Sequence, residues 1–252
     1  MWQGSDHVTS LFSSVLSYAL LPVFAAIVGA LVSTVRPPGP KLRSAIQHFA
    51  AGVVFSVVAV ELLPDIMRSH TRIAAFHVVI GFAIGVGAML ALRAMTERLE
   101  AAAPAGRARL PMAFLAAIAV DLLIDGLLIG IGFTAGVKEG RLLTLALTVE
   151  LLSLGLAVAV TLADAGAKRT RIIATTAALA MTLLVGAVGG AILLVGLPPM
   201  ALEIAFSFGL AALLFLVTEE LLTEAHEVPE TPWITSAFFA GFLLFLVLGM
   251  IA

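Results

Sequence analysis

The sequence predicts an all-α integral membrane protein: an eight-transmembrane-helix bundle with inverted-repeat character. Composition is the first reason. Hydrophobic residues make up 61% of the 252, charged residues only 12%, and the mean hydropathy is +1.14. A soluble domain holds roughly 45–50% apolar and about 25% charged residues. The second reason is that apolar runs of about 20 residues, enough to cross the hydrocarbon core, recur along the whole chain. The third is a short acidic element that occurs twice, at the ends of two runs that travel in opposite directions. One transmembrane domain is expected to cover residues 1–252.

The eight runs are Leu11–Val35, Ile46–Met67, Ile73–Met95, Pro111–Gly136, Leu142–Ala163, Ile172–Leu197, Ala201–Leu222 and Trp233–Ala252. Arg36-Pro-Pro-Gly-Pro-Lys closes the first. Glu97 to Arg109, with Pro104 and Gly106, separates the third from the fourth. Asp164 to Arg171 follows the fifth, and Pro198-Pro199 splits the sixth from the seventh. Proline cannot continue a helix that it interrupts, so these breaks are chemically consistent.

Short-loop lysines and arginines set orientation. The loops after helices one, three and five hold ten: Arg36, Lys41, Arg43, Arg93, Arg98, Arg107, Arg109, Lys168, Arg169 and Arg171. The other side holds four: Arg68, Arg72, Lys138 and Arg141. The richer side is expected to be cytoplasmic, with both termini on the outer side of an inner (cell) membrane. A net charge of −2 offers no basic stripe for nucleic acid. The chain has no cysteine, which excludes disulfides and thiolate metal sites. No P-loop, GxSxG or HExxH pattern occurs, so nucleotide-driven transport and hydrolysis lack support and an enzyme is not expected.

The intramembrane acids point to function. Asp121 and Asp125 lie one turn apart in the fourth run, on one helix face. Glu150 lies in the fifth, and neither run has a lysine or arginine deep inside it to pair them. A carboxylate at such depth costs at least a few kcal/mol unless it faces a cavity, a bundle interior or a cation. Three hard oxygen donors make a minimal divalent site, the metal candidates being Asp121, Asp125 and Glu150. Gly126, Gly130 and Gly132 follow, allowing close helix approach or local unwinding. Glu150-Leu-Leu-Ser-Leu-Gly155 repeats the spacing of Asp121-Leu-Leu-Ile-Asp125-Gly126, with Leu154 in the place of the second acid.

A sharper repeat lies elsewhere. Glu61-Leu-Leu-Pro-Asp65 ends the second run and Glu220-Leu-Leu-Thr-Glu224 ends the seventh, at opposite faces and in opposite directions. That is the signature of an inverted-topology repeat. His48, near the start of the second run, and His226, just past Glu224, add two imidazoles. The pathway candidates are therefore His48, Glu61, Asp65, Glu220, Glu224 and His226. Helices two, four, five and seven hold the intramembrane acids and are expected to form the pathway. Helices three, six and eight are expected to pack outside or against lipid, together with Met95, Met112 and Met181.

With these residues in view, the chain resembles the ZIP family of divalent metal transporters. Asp121-Leu-Leu-Ile-Asp125-Gly126 occupies the family's helix-four motif, roughly H-N-x-P-E-G, and Glu150-Leu-Leu-Ser-Leu-Gly155 its helix-five counterpart. His48-Phe-Ala-Ala-Gly-Val-Val and Glu61-Leu-Leu-Pro-Asp65 are similar to the start and end of its second helix. Glu219-Glu-Leu-Leu-Thr-Glu-Ala-His226-Glu is similar to its E-E-L-L-P-E-A-H-E. The resemblance implies eight helices, both termini outside, and a metal site between helices four and five. It also leaves a homodimer among the expected assemblies. In the family two adjacent metals share ligands from helices four, five and six. Here Leu122, Leu151 and Leu154 cannot ligate, and Ile172–Leu197 holds no acid or histidine. A single metal is expected.

The expected function is a permease that moves a divalent ion (Zn, Mn or Fe) across the bilayer by alternating access, with no organic cofactor. An all-carboxylate site leans towards the harder ions, since closed zinc sites favour nitrogen and sulfur. Two alternatives stand beside it. One is a non-transporting, sensor-like protein on the same scaffold, and the other is a proton-coupled carrier of a small organic cation.

Overall fold

The computed structural model describes residues 3–67, 72–101, 112–229 and 231–251. The topology residues Arg68, Arg107 and Arg109, with His70, fall outside them. Among the described residues eight helices are each long and apolar enough to cross a membrane, and the chain is a multi-pass, all-α membrane protein. They are α1 (Gln3–Val35), α2 (Pro40–Met67), α3 (Arg72–Ala101), α4 (Met112–Ala135), α5 (Val137–Asp164), α6 (Arg169–Leu194), α7 (Pro199–Ala225) and α8 (Pro232–Ile251). Pro40 and Pro199 each open a helix in its first turn, where a missing N–H costs nothing. Large apolar side chains such as Phe24, Val79, Met181, Val185 and Phe239 remain exposed on the outer surface, as lipid-facing positions require. Met95 and Met112 are exposed as well.

Helix pairing follows small residues. The strongest contacts join α4 to α6, α1 to α5, α2 to α8 and α3 to α7. A Cβ added to Gly155 would run into the carbonyl of Ala26, and one added to Gly29 into that of Leu152, so α5 and α1 touch backbone to backbone. Gly126 meets Leu183 and Gly186 meets Leu123 in the same way, fixing α4 on α6. Without water to drive association, close backbone approach through small residues is how helices gain packing energy in lipid. Gly126 and Gly130 serve that contact, and α4 runs unbroken past them. The local unwinding considered for this stretch does not occur.

The backbone irregularity lies in α2 and α7 instead. Residues Val58–Leu62 and Leu216–Leu221 each wind as one wider π turn, where the Leu63 N–H donates to Val58 and the Leu222 N–H to Val217. Pro64 explains the first, because it lacks an N–H and crowds the carbonyl four residues back. In α7 the equivalent residue is Thr223, whose hydroxyl donates to the Thr218 carbonyl at 3.3 Å. Both turns sit on the repeated acidic element, at Glu61 and Glu220.

Exchanging α1 with α6, α2 with α7, α3 with α8 and α4 with α5 maps the four strongest helix pairs onto one another. The α1–α5 pair becomes α6–α4, and the α2–α8 pair becomes α7–α3. Consecutive spans alternate in direction, so each exchanged pair runs oppositely and the repeat is inverted. The result is two bodies. Helices α1, α4, α5 and α6 pack into a central one, and α2, α3, α7 and α8 form a flanking one, with lighter contacts between them. Helix α6 therefore packs heavily on α4 and α1, with only its outer face left for lipid.

Candidate metal centre

Helix α4 brings Asp121 and Asp125 to one face, and α5 packs beside it with Glu150 directed at them. One oxygen from each of the three carboxylates lies within 4.8 Å of the others. Opposing ligands on a single ion of this class lie roughly 4–5 Å apart, so the spacing suits one shared cation. Asp125 and Glu150 are 2% and 3% exposed. Their Oδ2 and Oε2 atoms are buried with no hydrogen-bond partner. Among the described residues no ion pair reaches any of the three. A buried carboxylate oxygen left unpaired is costly, and a divalent cation is the partner that would satisfy all three groups at once.

Asp121 is less buried because it stands at the floor of a cavity of about 340 Å³. The cavity lies between the central and flanking bodies. Phe114, Ala117, Leu154 and Thr161 line it from α4 and α5, and Phe215, Glu220 and Glu224 from α7. It opens at the end of the bundle that carries Arg43 and Arg93, the face with the richer set of basic loops. Glu220 and Glu224 thus share a cavity with Asp121, as the sequence pattern suggests. Helix α3 also contributes Leu92, Arg93, Thr96 and Glu97, although it was expected to lie outside the pathway. Its place follows from its packing on α7, which turns one α3 face inward.

At the cavity mouth α2 and α7 are tied together. Arg43 lies 3.6 Å from Glu224, the Gln47 amide donates to the same carboxylate, and Ser44 donates to the Ala225 carbonyl at 2.7 Å. His48 Nδ1 donates to the Ser44 carbonyl at 2.9 Å, and His226 Nδ1 to that of Leu222. In each ring Nδ1 carries the donated hydrogen, because a carbonyl oxygen can only accept. They meet edge to face, with centroids 5.2 Å apart. Arg93 donates to Glu219 at 2.6 Å and to Glu97 at 3.1 Å.

Glu61 and Asp65 lie at the opposite end and are not brought to the triad. Glu61 is buried and faces Lys138, whose Nζ is 3.7 Å from Oε1. Asp65, one turn further along α2, is half-buried. Leu122 and Leu151 are fully buried in the packing beside the acids, and Leu154 lines the cavity. None of them offers a ligand atom, and the three acids are the ones that converge.

In the sequence Arg93 and Lys138 are legible only as topology charges, and Gln47 and Ser44 carry no signal. Arg93 lies 126 residues from Glu219 and Lys138 lies 77 from Glu61, so no local pattern links either pair. A scan against family models finds no match for this chain, and a search of curated proteins finds none.

Proposed function

We propose that the protein is a divalent metal-ion permease, ZIP-like in organisation, that passes a cation through the Asp121–Asp125–Glu150 site by alternating access. The observation that carries this reading is the pair of buried, partnerless oxygens on Asp125 and Glu150, within ligand distance of Asp121. A resident structural site would be walled off. This one opens through Asp121 into a cavity reaching one face of the bundle, as a cargo site must. Taking the basic face as cytoplasmic, the conformation is open to the cytoplasm, and both termini lie outside. Glu220 and Glu224 along the cavity wall provide further carboxylates between the triad and the exit.

Oxygen-only ligation favours Mn²⁺ or Fe²⁺ over Zn²⁺. Three carboxylates balance one divalent ion but not two, and Leu122, Leu151 and Leu154 give a second ion no ligand, so one ion binds centrally. Isothermal titration of the purified protein with Mn²⁺ tests this. One ion per chain, lost in Asp125→Asn, supports the site. Two central ions, or undiminished binding in the variant, contradict it. A second reading draws on Leu92, Phe114 and Phe215 in the cavity wall, an apolar lining suited to a small organic cation. Displacement of Mn²⁺ by such a cation, with proton-driven uptake of it, would favour that reading.

A further inference from the structure

We infer that Lys138 is a latch residue: by pairing with Glu61 across the two bodies, it holds the face opposite the cavity closed. Among the described residues, the ion pairs at the open end stay inside the flanking body. Arg43–Glu224 joins α2 to α7, and Arg93–Glu219 joins α3 to α7. Lys138–Glu61 differs, because Lys138 opens α5 of the central body and Glu61 sits in the π turn of α2 in the flanking body. The same ammonium donates at 2.8 Å to the carbonyl of Gly249 near the end of α8, so it ties α5 to two flanking helices at once.

The surroundings fit this role. Gly249 makes room for the carboxylate: a Cβ there would lie 2.8 Å from Glu61 Oε1. Arg141, one turn along α5, stacks over the Tyr18 ring at 5.2 Å and so remains within the central body. Of these two cations at this end of α5, Lys138 is the one that crosses. Lys138 is 42% exposed and Glu61 10%, so the lysine reaches from solvent to cover an acid that would otherwise be buried alone.

The inverted repeat gives the pairing its meaning. Glu61 and Glu220 are equivalent under the exchange of α2 with α7, and each sits in a π turn. Glu220 lines an open cavity, while Glu61 is sealed under Lys138. When the bodies rock and the cavity appears on the other face, Glu61 is the residue that must be uncovered to line it. Breaking the Lys138 contacts is therefore part of opening.

The inference rests on the alternating-access reading, and its test needs no metal. The chain has no cysteine, so single reporters can be placed without a background. Ala117→Cys marks the open cavity, and Leu142→Cys marks the buried closed side. Thiol-labelling rates are measured for each reporter in full-length protein, alone and with Lys138→Met or Glu61→Gln. Either substitution should speed Leu142→Cys labelling about two- to fivefold, the range for losing an ion pair with one exposed partner. Ala117→Cys labelling should slow only slightly, since the major state loses only the fraction that the minor state gains. Lys138→Arg, and the exchange Lys138→Glu with Glu61→Lys, should return both rates towards the parent. Unchanged rates in the folded single variants, or failure of the exchange to restore them, would overturn the latch. Manganese titration of the same proteins separates the two ideas. Unchanged labelling with intact metal binding removes the latch alone, and shifted labelling without metal binding keeps the latch and removes the permease.

Discussion

Asp125 and Glu150 each hold a buried oxygen with no partner, which is costly in an apolar interior. Amide replacement should therefore separate binding from stability. Altering even an outer-shell group typically costs about 10–100-fold in metal affinity, so losing a ligand outright should cost at least on the order of 100-fold. Asp125→Asn and Glu150→Gln should each do this in a Mn²⁺ titration, yet melt no lower than the parent in metal-free detergent, because each replaces a crowded, partnerless carboxyl with a neutral amide of the same shape. Metal should stabilise the parent by about 2.7 kcal/mol at one hundred times its Kd, and each variant by no more than about 0.4 kcal/mol at the same concentration. A second expectation concerns pH. A bound cation requires ionised carboxylates, so affinity should fall as pH drops from mildly alkaline to mildly acidic. Titration at three pH values checks it, and a flat profile would argue against a shared carboxylate site.

At the scale of elements, the eight spans were legible because hydropathy and length alone mark a helix that must satisfy its backbone in lipid. The observed spans extend several of those runs by a turn or more, notably α2 from Pro40 and α5 from Val137, because polar first and last turns still wind. The triad was legible for a related reason: four-residue spacing and the repeated Asp121/Glu150 pattern place the acids without any tertiary information. The π turns were not foreseen. Pro64 hinted at one, but Thr223 carries the same geometry through a hydroxyl that gives no such signal. Nor does sequence say which glycines meet which helix. Gly155→Ala should destabilise by about 1–3 kcal/mol, since its Cβ meets the Ala26 backbone rather than a movable side chain. Gly189→Ala, on α6 with open space around it, should be neutral or slightly stabilising. Unfolding midpoints in detergent compare the two.

At the scale of the whole molecule, the inverted repeat relates two halves in opposite directions while the conformation breaks that symmetry. Asp121 faces a cavity at the basic end, whereas Glu61, the mate of cavity-lining Glu220, is covered. One end open and the other covered around a shared site is the asymmetry that the proposed alternating-access cycle requires. The local half of this picture was readable from the two acidic elements, because their direction follows from alternation of the spans. The division into two bodies was not, because it depends on pairings such as Gly29 with α5 and Gly186 with α4. A non-transporting scaffold would hold the ion and never release it to the far side. Uptake of Mn²⁺ into proteoliposomes, followed with an entrapped metal-quenched dye, decides between them. The account predicts saturable uptake by the parent that falls to the protein-free rate in Asp125→Asn and Glu150→Gln, and uptake that persists in either variant, or is absent from a parent that binds Mn²⁺, would contradict it.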